Sequence, residues 1–311
     1  MVEKEVIGIM RKQKKNVSLE GKSQLGMILF RFKKNKLAIA GVIILIILMV
    51  LCNSARLWIP YEKVYTQSML NRFIPPFTTV TAADGTTTTY IFGTDQLGRD
   101  LFSRIIYGGQ ISLFAGLISV AMSMVVGITL GSIAGYVGGK VDMIIMRICD
   151  VFMAVPRMLL AMAVVSALGQ GTFNMLIALS CAGFPRYARV IRSSILTLRN
   201  QEYIEAAKCC GTSTARILIK HILPNALGPV IVSATLDLGG TILAIASLGF
   251  LGIGIASPTP EWGTILSENR SNIRYFPYLG LVPGFFICLS VVALNFVGDG
   301  LRDALDPRTK S

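Results

Sequence analysis

Few residues in this 311-residue chain have the types and spacing that catalysis requires. A Gly-Lys-Ser sequence at residues 21–23 suggests a phosphate-binding loop, but that loop also needs a glycine five residues earlier, where the chain has Asn16. His221 is the only histidine, which argues against a zinc protease site or a Ser-His-Asp triad, and the six cysteines include no Cys-x-x-Cys pair. The sequence therefore predicts no catalytic residue, no metal site and no ATP site.

Three ionisable residues lie inside apolar stretches, where charge is costly and usually faces an interior or a water-filled cavity. Arg147 and Asp150 are three residues apart, which places them on one helical face and favours an internal ion pair over contact with a transported molecule. Asp237 has no charged neighbour on its own helix. It is the better candidate for a residue that lines a transport pathway, and a pair with another subunit is the alternative that stays open.

A polar, partly basic segment, residues 202–225, separates two long apolar stretches. Residues 202–210 are good helix formers, Gly211 can take the left-handed conformation that ends a helix, and Thr212 or Ser213 can cap a second one. We therefore predict two short helices joined at an angle, and we call this segment the 202–225 hairpin.

The second helix of the 202–225 hairpin is predicted to be amphipathic. Its apolar face consists of Ile217, Leu218, His221 and Ile222. Pro224 is predicted to end the helix. In the first helix, the small side chains of Ala206 and Ala207 allow a partner to approach the backbone closely, and Glu205 offers a charge to a basic partner.

Composition predicts an all-α, multi-pass membrane protein. Hydrophobic residues make up 53% of the chain and charged residues only 15%, and several apolar runs exceed the roughly 18 residues that a bilayer span requires. A net charge of +13 is compatible with nucleic-acid binding, but the basic residues crowd beside the apolar runs and basic grooves with aromatic residues are missing, so no nucleic-acid partner is expected. The six predicted transmembrane helices cover residues 37–59, 111–136, 141–168, 173–191, 227–255 and 278–297.

The distribution of basic residues predicts the orientation. Residues 1–36 hold ten Lys or Arg and three acidic residues, whereas residues 60–110 hold four of each. Because cytoplasmic segments carry the excess of Lys and Arg, the N-terminus is predicted in the cytoplasm, and six crossings place the C-terminus there too. Residues 186–220, with seven basic and two acidic residues, agree. The first apolar run lacks a small-residue cleavage site and predicts a membrane anchor, not a signal peptide.

Smaller patterns divide the chain further. The predicted parts are a basic cytoplasmic tail (1–36), a first helix with an extracytoplasmic segment (37–110), a five-helix core that contains the 202–225 hairpin (111–300) and a cytoplasmic tail (301–311).

In the extracytoplasmic segment, two β-prone runs flank Asp84-Gly85, which is typical of a β-hairpin, with a disordered loop as the alternative. Asp95 and Asp100 are predicted to be structural because no His or Cys is near. The four-residue repeat of Gly127, Gly131 and Gly135 predicts close helix packing.

The 202–225 hairpin resembles the EAA loop of ABC-importer permeases. That pattern consists of Glu-Ala-Ala, three residues, Gly, nine residues, an apolar residue, one residue and Leu-Pro. The chain matches it at Glu205, Ala206, Ala207, Gly211, Leu223 and Pro224. The apolar position holds His221, a departure from the general pattern that is common in the oligopeptide and dipeptide branch.

Other motifs extend the resemblance over residues 25–308. The series Gly-Thr-Asp, Gly-Arg-Asp and Phe-Ser-Arg within residues 92–104, and the Gly-Asp-Gly-Leu-Arg-Asp-Ala-Leu-Asp-Pro of residues 298–307, are similar to DppC- and OppC-like permeases of the dipeptide, oligopeptide and nickel branch. The chain departs from that branch at Gln110, where Arg is common, at Ile245, where Glu is frequent, and at Gly249, where Ser is usual. The last two lie in the fifth predicted helix and leave the substrate open.

The resemblance implies a type I ABC importer fold, a set of partners and a bacterial or archaeal cytoplasmic (inner) membrane. The implied partners are a second permease subunit (DppB/OppB-like), two cytoplasmic ATPases (DppD/DppF- or OppD/OppF-like) that bind ATP and Mg²⁺, and an extracytoplasmic substrate-binding protein. Closure of the ATPases is expected to pull the hairpin and rock the helices that it joins. Glu205 would anchor an ATPase, Gly211 would set the turn, and the apolar face would fill the ATPase cleft.

Two alternatives stay open at this stage. An importer of nickel or another small solute in the same branch has the same hairpin. A secondary transporter works without ATP and usually contains inverted repeats, which this sequence does not show.

Overall fold

The computed structural model describes residues 24–81, 85 and 87–305, and these residues are almost entirely helical. The helices are α1 (Gln24–Phe32), α2 (Lys36–Trp58), α3 (Leu101–Val137), α4 (Gly139–Ala154), α5 (Arg157–Leu168), α6 (Thr172–Leu198), α7 (Glu202–Cys209), α8 (Thr214–Phe250), α9 (Trp262–Asn269) and α10 (Tyr278–Leu305). Two short 3₁₀ turns, Tyr61–Val64 and Met69–Asn71, follow α2. Most of both predicted tails lies outside the described residues.

The long helices confirm an all-α, multi-pass membrane architecture. Helices α2, α3, α8 and α10 are each long and apolar enough to cross a bilayer, and the bent pair α4 and α5 provides a fifth crossing if it counts as one span. Helix α6 has 27 residues and contains three arginines, which lower its hydropathy. It corresponds to the remaining predicted span, so the count of six spans stays a prediction.

Helix α3 begins well before its predicted start at residue 111. Asp100 caps it, because its carboxylate accepts hydrogen bonds from the backbone N–H groups of Phe102 (3.3 Å) and Ser103 (3.1 Å). The polar side chains of Arg104 and Gln110 interrupt the apolar pattern, which is why hydropathy placed the start too late. The predicted boundary between residues 37–110 and 111–300 is therefore wrong, because it falls inside a helix.

The predicted span of residues 141–168 is not one continuous helix. Helices α4 and α5 meet at a bend of 92°. Val155 between them is extended (φ −93°, ψ 133°), as expected for a residue before a proline, and Pro156 has no N–H with which to continue α4. The span is therefore broken into two half-length helices, and α5 begins in the middle of it.

The glycine repeat of α3 packs against α6, as predicted. A Cβ on Gly127 would lie 2.6 Å from the Cβ of Tyr187, and a Cβ on Gly131 would overlap the carbonyl oxygen of Ala188. Small residues at these positions let the two helix backbones approach closely. Helices α3 and α6 consequently form the most closely associated pair in the core.

The first and last long helices pack on each other. A Cβ on Gly41 of α2 would lie 2.6 Å from the carbonyl oxygen of Ala293 in α10, and a Cβ on Gly300 of α10 would overlap the side chain of Ala38. Asn35 caps α2 by accepting a hydrogen bond from the N–H of Ala38 (3.1 Å). Helix α2 therefore joins the core mainly through the C-terminal helix.

The predicted β-hairpin is confirmed. Strands β1 (Thr78–Thr81) and β2 (Thr87–Tyr90) are antiparallel, with Thr78 opposite Tyr90 and Thr81 opposite Thr87. The predicted turn residue Asp84 lies outside the described residues.

Candidate functional site

The 202–225 hairpin has the predicted helix-turn-helix shape. Helix α7 ends at Cys209, and Gly211 has a φ of +74°, in the left-handed region that glycine adopts without strain. Ser213 occupies the cap position of α8 in an extended conformation, and its side chain makes no capping hydrogen bond. The turn therefore depends mainly on Gly211, because a side chain there would be strained even though the space around it is open.

One surface of the hairpin is open to a partner. Glu205 and Ala206 are exposed, whereas Ala207 is half-buried. The other exposed residues from Glu202 to Lys220 are Glu202, Tyr203, Lys208, Cys209, Cys210, Gly211, Ser213, Thr214, Ala215, Arg216, Ile219 and Lys220. This exposed surface combines two acidic residues with three basic ones, so it suits a partner that carries both signs of charge.

The apolar face of the hairpin differs from the sequence expectation. Ile217 and Ile222 are buried, and they pack with Ile204 of α7 and with Ile195 of α6 in one hydrophobic cluster. The chain's own core therefore occupies this face, and these two side chains are not available to fill a cleft in another protein. Half-buried neighbours on the same face are Leu218, His221 and Leu223.

Pro224 does not end the second helix, contrary to the prediction. Residues Ile217–Ile222 form a π-helical turn, in which the N–H of Leu223 bonds to the carbonyl of Leu218, and the α-helical pattern resumes at Leu223. Because the π turn shifts the hydrogen-bond register just before the proline, Pro224 falls in the first turn of the α-helical stretch, where its missing N–H is tolerated. The hairpin therefore continues into α8 without a break.

Asp237 of α8 has partners within this chain, on two other helices. Its carboxylate accepts hydrogen bonds from Arg157 Nη1 at the start of α5 (2.6 Å), from Arg186 Nη1 of α6 (3.4 Å) and from the hydroxyl of Tyr187 (3.0 Å). A second nitrogen of Arg157 donates to the hydroxyl of Thr241 (3.0 Å). The sequence predicted that Asp237 lines a transport pathway or pairs with another subunit. In the structure, its hydrogen-bond partners belong to this chain.

This cluster carries an excess of positive charge. Two guanidinium ions face one carboxylate, and Asp237 is almost completely buried, whereas the side chains of Arg157 and Arg186 are 33% and 53% exposed. The Nε of Arg157 is buried and makes no hydrogen bond within the described part of the chain. The two arginines of this cluster are therefore accessible from outside the chain, and the carboxylate of Asp237 is not.

A second group of ion pairs ties α4 to α6. Arg189 lies 2.6 Å from Asp150, and Arg192 lies 2.5 Å from Asp142. The predicted pair of Arg147 with Asp150 is present at 3.8 Å, with an Arg147 side chain that is 81% exposed. Asp150 is thus held chiefly by a residue of α6, and the predicted pair within α4 is the weaker contact.

The segment before α3 contains a buried ionic network. Asp95 lies 2.6 Å from Arg99, and Arg99 and Arg104 each donate to Glu268 of α9 at 2.7 Å. Together with the capping role of Asp100, this network supports the structural role predicted for both aspartates. Glu268 was missed because nothing local in the sequence connects it to a segment 164 residues earlier.

A second buried carboxylate lies at the start of α9. Glu261 accepts hydrogen bonds from the backbone N–H groups of Gly263 and Thr264, both at 2.9 Å, and from the hydroxyl of Ser112 at 3.0 Å. Burial raises the pKa of Glu261 above its ordinary value. A Cβ on Gly249 would overlap this carboxylate, so the glycine found there provides the space that Glu261 occupies.

The described residues contain no group of three His, Cys, Asp or Glu side chains that could hold a metal ion. All six cysteines are free, and Cys209 and Cys210 are exposed on the hairpin.

Two family descriptions match the chain. Residues 127–311 match the family described as binding-protein-dependent transport system inner membrane component. Residues 23–76 match the N-terminal transmembrane domain of oligopeptide transport permease C. The first match includes the 202–225 hairpin and the Asp237 cluster.

Relatives match along most of the chain. The dipeptide transport system permease protein DppC of Alkalihalophilus pseudofirmus is 45% identical over 90% of this chain and 89% of its own length. The oligopeptide transport system permease protein OppC of Bacillus subtilis is 38% identical over 91% of this chain and 89% of its own. The glutathione transport system permease protein GsiD of Pectobacterium atrosepticum is 41% identical over 90% of each.

A solved structure has a similar fold. An inward-facing conformation of the MetNI methionine ABC transporter matches with a TM-score of 0.54 and 20% sequence identity, over 65% of this chain and 97% of the matched chain. This similarity confirms the ABC-importer fold.

Proposed function

Because the chain belongs to the family of binding-protein-dependent transport system inner membrane components, we propose that it is a transmembrane subunit of an ATP-driven importer of dipeptides or oligopeptides. The three relatives described above are named for dipeptide, oligopeptide and glutathione transport. This supports peptides over nickel or another small solute. An exposed hairpin with the spacing of an ATPase-coupling loop favours an ATP-driven importer over a secondary transporter.

The observation that carries this proposal is the construction of the 202–225 hairpin. Its exposed residues Glu205 and Ala206 lie on α7, directly beside Ile204, which is buried against Ile217 and Ile222 of α8. A partner that binds the exposed surface therefore acts on a segment that is firmly packed onto two long helices. Such a segment suits the transmission of force.

The proposed importer contains partners that supply what this chain lacks. A second permease subunit would complete the translocation pathway, and two cytoplasmic ATPases would bind ATP and Mg²⁺. An extracytoplasmic binding protein would deliver the peptide. In this arrangement the N-terminus, the C-terminus and the 202–225 hairpin face the cytoplasm, which agrees with the basic excess of residues 1–36 and 186–220.

The proposed mechanism is a rigid movement of the hairpin with its helices. The cluster that buries Ile217 and Ile222 also contains Tyr187, Ile191 and Ile195 of α6. Because closely packed cores transmit displacement with little deformation, movement of the hairpin by an ATPase would also move α6 and α8. The importer would thereby alternate between inward-facing and outward-facing states.

A charge reversal at Glu205 tests the coupling role. In proteoliposomes that contain the complete complex, Glu205→Lys is expected to lower ATP-dependent peptide uptake at least about tenfold, because one partner of a charged contact is reversed. Glu202→Lys is the matched control, since Glu202 is exposed on the same helix and lies outside the Glu-Ala-Ala motif. Equal amounts of inserted protein are verified for each variant.

Three outcomes would count against the proposal. Equal uptake by Glu205→Lys and the wild type would remove Glu205 from the coupling surface. Equal losses in both variants would show that Glu205 has no special role in coupling compared with Glu202. A wild-type complex that takes up Ni²⁺ but no peptide would establish the small-solute alternative.

A further inference from the structure

The Asp237 cluster has the composition of an anion site. Arg157 and Arg186 contribute two positive charges and Asp237 contributes one negative charge, so one positive charge is not balanced inside the cluster. The next two turns of α8 add no carboxylate to this face, because Thr241 and Ile245 follow Asp237 there at intervals of four residues. Both of these residues are fully buried.

Arg186 is the arginine with free hydrogen-bonding capacity. A guanidinium group has five N–H donors, and the contact of Arg186 with Asp237 uses one of them at 3.4 Å. The side chain is 53% exposed and lies near the middle of α6. The remaining exposed donors need hydrogen-bond partners, which water or an anion can supply.

Arg157 is the arginine that is fixed in place. It donates to Asp237 at 2.6 Å and to Thr241 at 3.0 Å, and its buried Nε has no partner within the described part of the chain. Asp237 and Thr241 therefore act as positioning residues for a guanidinium ion at the edge of the accessible surface. A rigidly held cation binds an incoming anion with a lower ordering cost than a mobile one.

The break in the third span adds to this positive potential. Helix α5 starts at Arg157, and Pro156 provides no side-chain cap for it. The first N–H groups of a helix lack partners within the helix, and the helix dipole places positive potential at that end. Broken membrane helices use such N-termini to bind the anionic groups of transported molecules.

We propose that Arg186, together with Arg157 and the N-terminus of α5, binds the C-terminal carboxylate of the peptide during its passage through the membrane. This inference rests on the proposed peptide-import function. A guanidinium group matches the planar, two-oxygen geometry of a carboxylate, and every linear peptide with a free C-terminus has this group whatever its side chains. The site therefore fits an importer that accepts peptides of varied sequence.

The test compares two dipeptides that differ only in their C-terminal group. Ala-Phe and Ala-Phe amide are presented to the reconstituted complex at the same measured occupancy of the binding protein. Arg186→Gln is expected to lower uptake of the acid about tenfold, as the loss of one charge-assisted hydrogen bond predicts. Uptake of the amide should change less, and Arg186→Lys should retain most of the uptake of the acid. If the binding protein does not bind the amide, the test compares the uptake of Ala-Phe alone by the Arg186→Gln and Arg186→Lys variants.

Arg189→Gln is the matched control. Arg189 lies on the same helix three residues later and is 44% exposed, and its partner Asp150 keeps a second arginine, Arg147, in reach. This variant is expected to transport both peptides as the wild type does. Binding-protein-stimulated ATPase activity and complex yield are measured for every variant.

The outcomes separate this inference from the proposed function. Unchanged uptake of the acid by Arg186→Gln overturns the anion site. A loss that Arg186→Lys does not restore, or one that accompanies a low complex yield, assigns Arg186 to structure or to subunit assembly and also overturns it. If the wild-type complex takes up no peptide at all, the proposed function fails instead.

Discussion

The carboxylate of Asp237 lies 2.6 Å from Nη1 of Arg157, although 80 residues separate the two in the chain. Arg157 is the first residue after the break of a membrane helix, and Asp237 lies inside a helix that continues from the 202–225 hairpin. One ion pair thus connects the broken span to the helix that the hairpin moves in the proposed mechanism.

Removal of this carboxylate should destabilise the protein. Asp237→Asn leaves two guanidinium ions without their shared counter-ion, and we expect a loss of about 1–3 kcal/mol in the free energy of unfolding. Asp150→Asn is the control, because its ion pairs are exposed and the expected loss is below about 1 kcal/mol. Thermal unfolding of the two purified variants in the same detergent measures the difference. Equal stability would show that the Asp237 cluster contributes nothing to folding.

Buried and exposed isoleucines of the hairpin should contribute differently to the stability of the protein. Ile222 is fully buried, whereas Ile219 is 65% exposed. We expect Ile222→Ala to cost about 2–5 kcal/mol in stability through the cavity that it leaves. Ile219→Ala should change stability by less than about 1 kcal/mol, as is usual at a surface. The same thermal measurement checks both, and a larger loss for Ile219→Ala would contradict the packing described above.

Two glycines allow a matched test of helix packing. A Cβ on Gly131 would overlap the backbone of α6, whereas a Cβ on Gly240 would have no atom within 4 Å. Gly131→Ala should therefore cost about 1–3 kcal/mol through overpacking. Gly240→Ala should be neutral or stabilising by about 0.5–1 kcal/mol, because alanine is the better helix former. Similar stability of the two variants would mean that α3 and α6 are farther apart than the structure indicates.

Labelling should place the β-hairpin and the 202–225 hairpin on opposite sides of the membrane. Thr87 and Ser213 are both exposed, so a cysteine at either position can react. The native cysteines are replaced first, since Cys209, Cys210 and Cys288 are exposed. An impermeant maleimide should label Thr87→Cys in intact cells and Ser213→Cys only after permeabilisation. Labelling of both from outside would rule out the predicted orientation.

The sequence was sufficient for features that depend on neighbouring residues. Helix formers followed by Gly211 predicted the turn of the 202–225 hairpin, because the backbone conformation there is decided by a missing side chain. The β-prone runs that flank Asp84-Gly85 favoured the β-hairpin, and long apolar runs predicted the membrane helices. The motif spacing identified the family, since the matched residues lie close together along the chain.

The sequence was not sufficient where distant segments meet. It indicated neither the ion pair of Asp237 with Arg157 nor the contact of Arg104 with Glu268, 164 residues away. It placed Ile217 and Ile222 on an outward face, because amphipathic spacing shows which residues share a face but not what covers that face. It ended a helix at Pro224, whereas the structure has a π turn at Ile217–Ile222 that places the proline in the first turn of the following α-helical stretch.

What the sequence determined by itself is thus the class of the protein and the local shape of its hairpin, through hydropathy, helix propensity and the conformational freedom of glycine. Tertiary structure alone decided which charges are paired and which apolar residues are buried. The physical reason is that burial and ion pairing depend on distances between helices, and those distances follow from the packing of all the helices together.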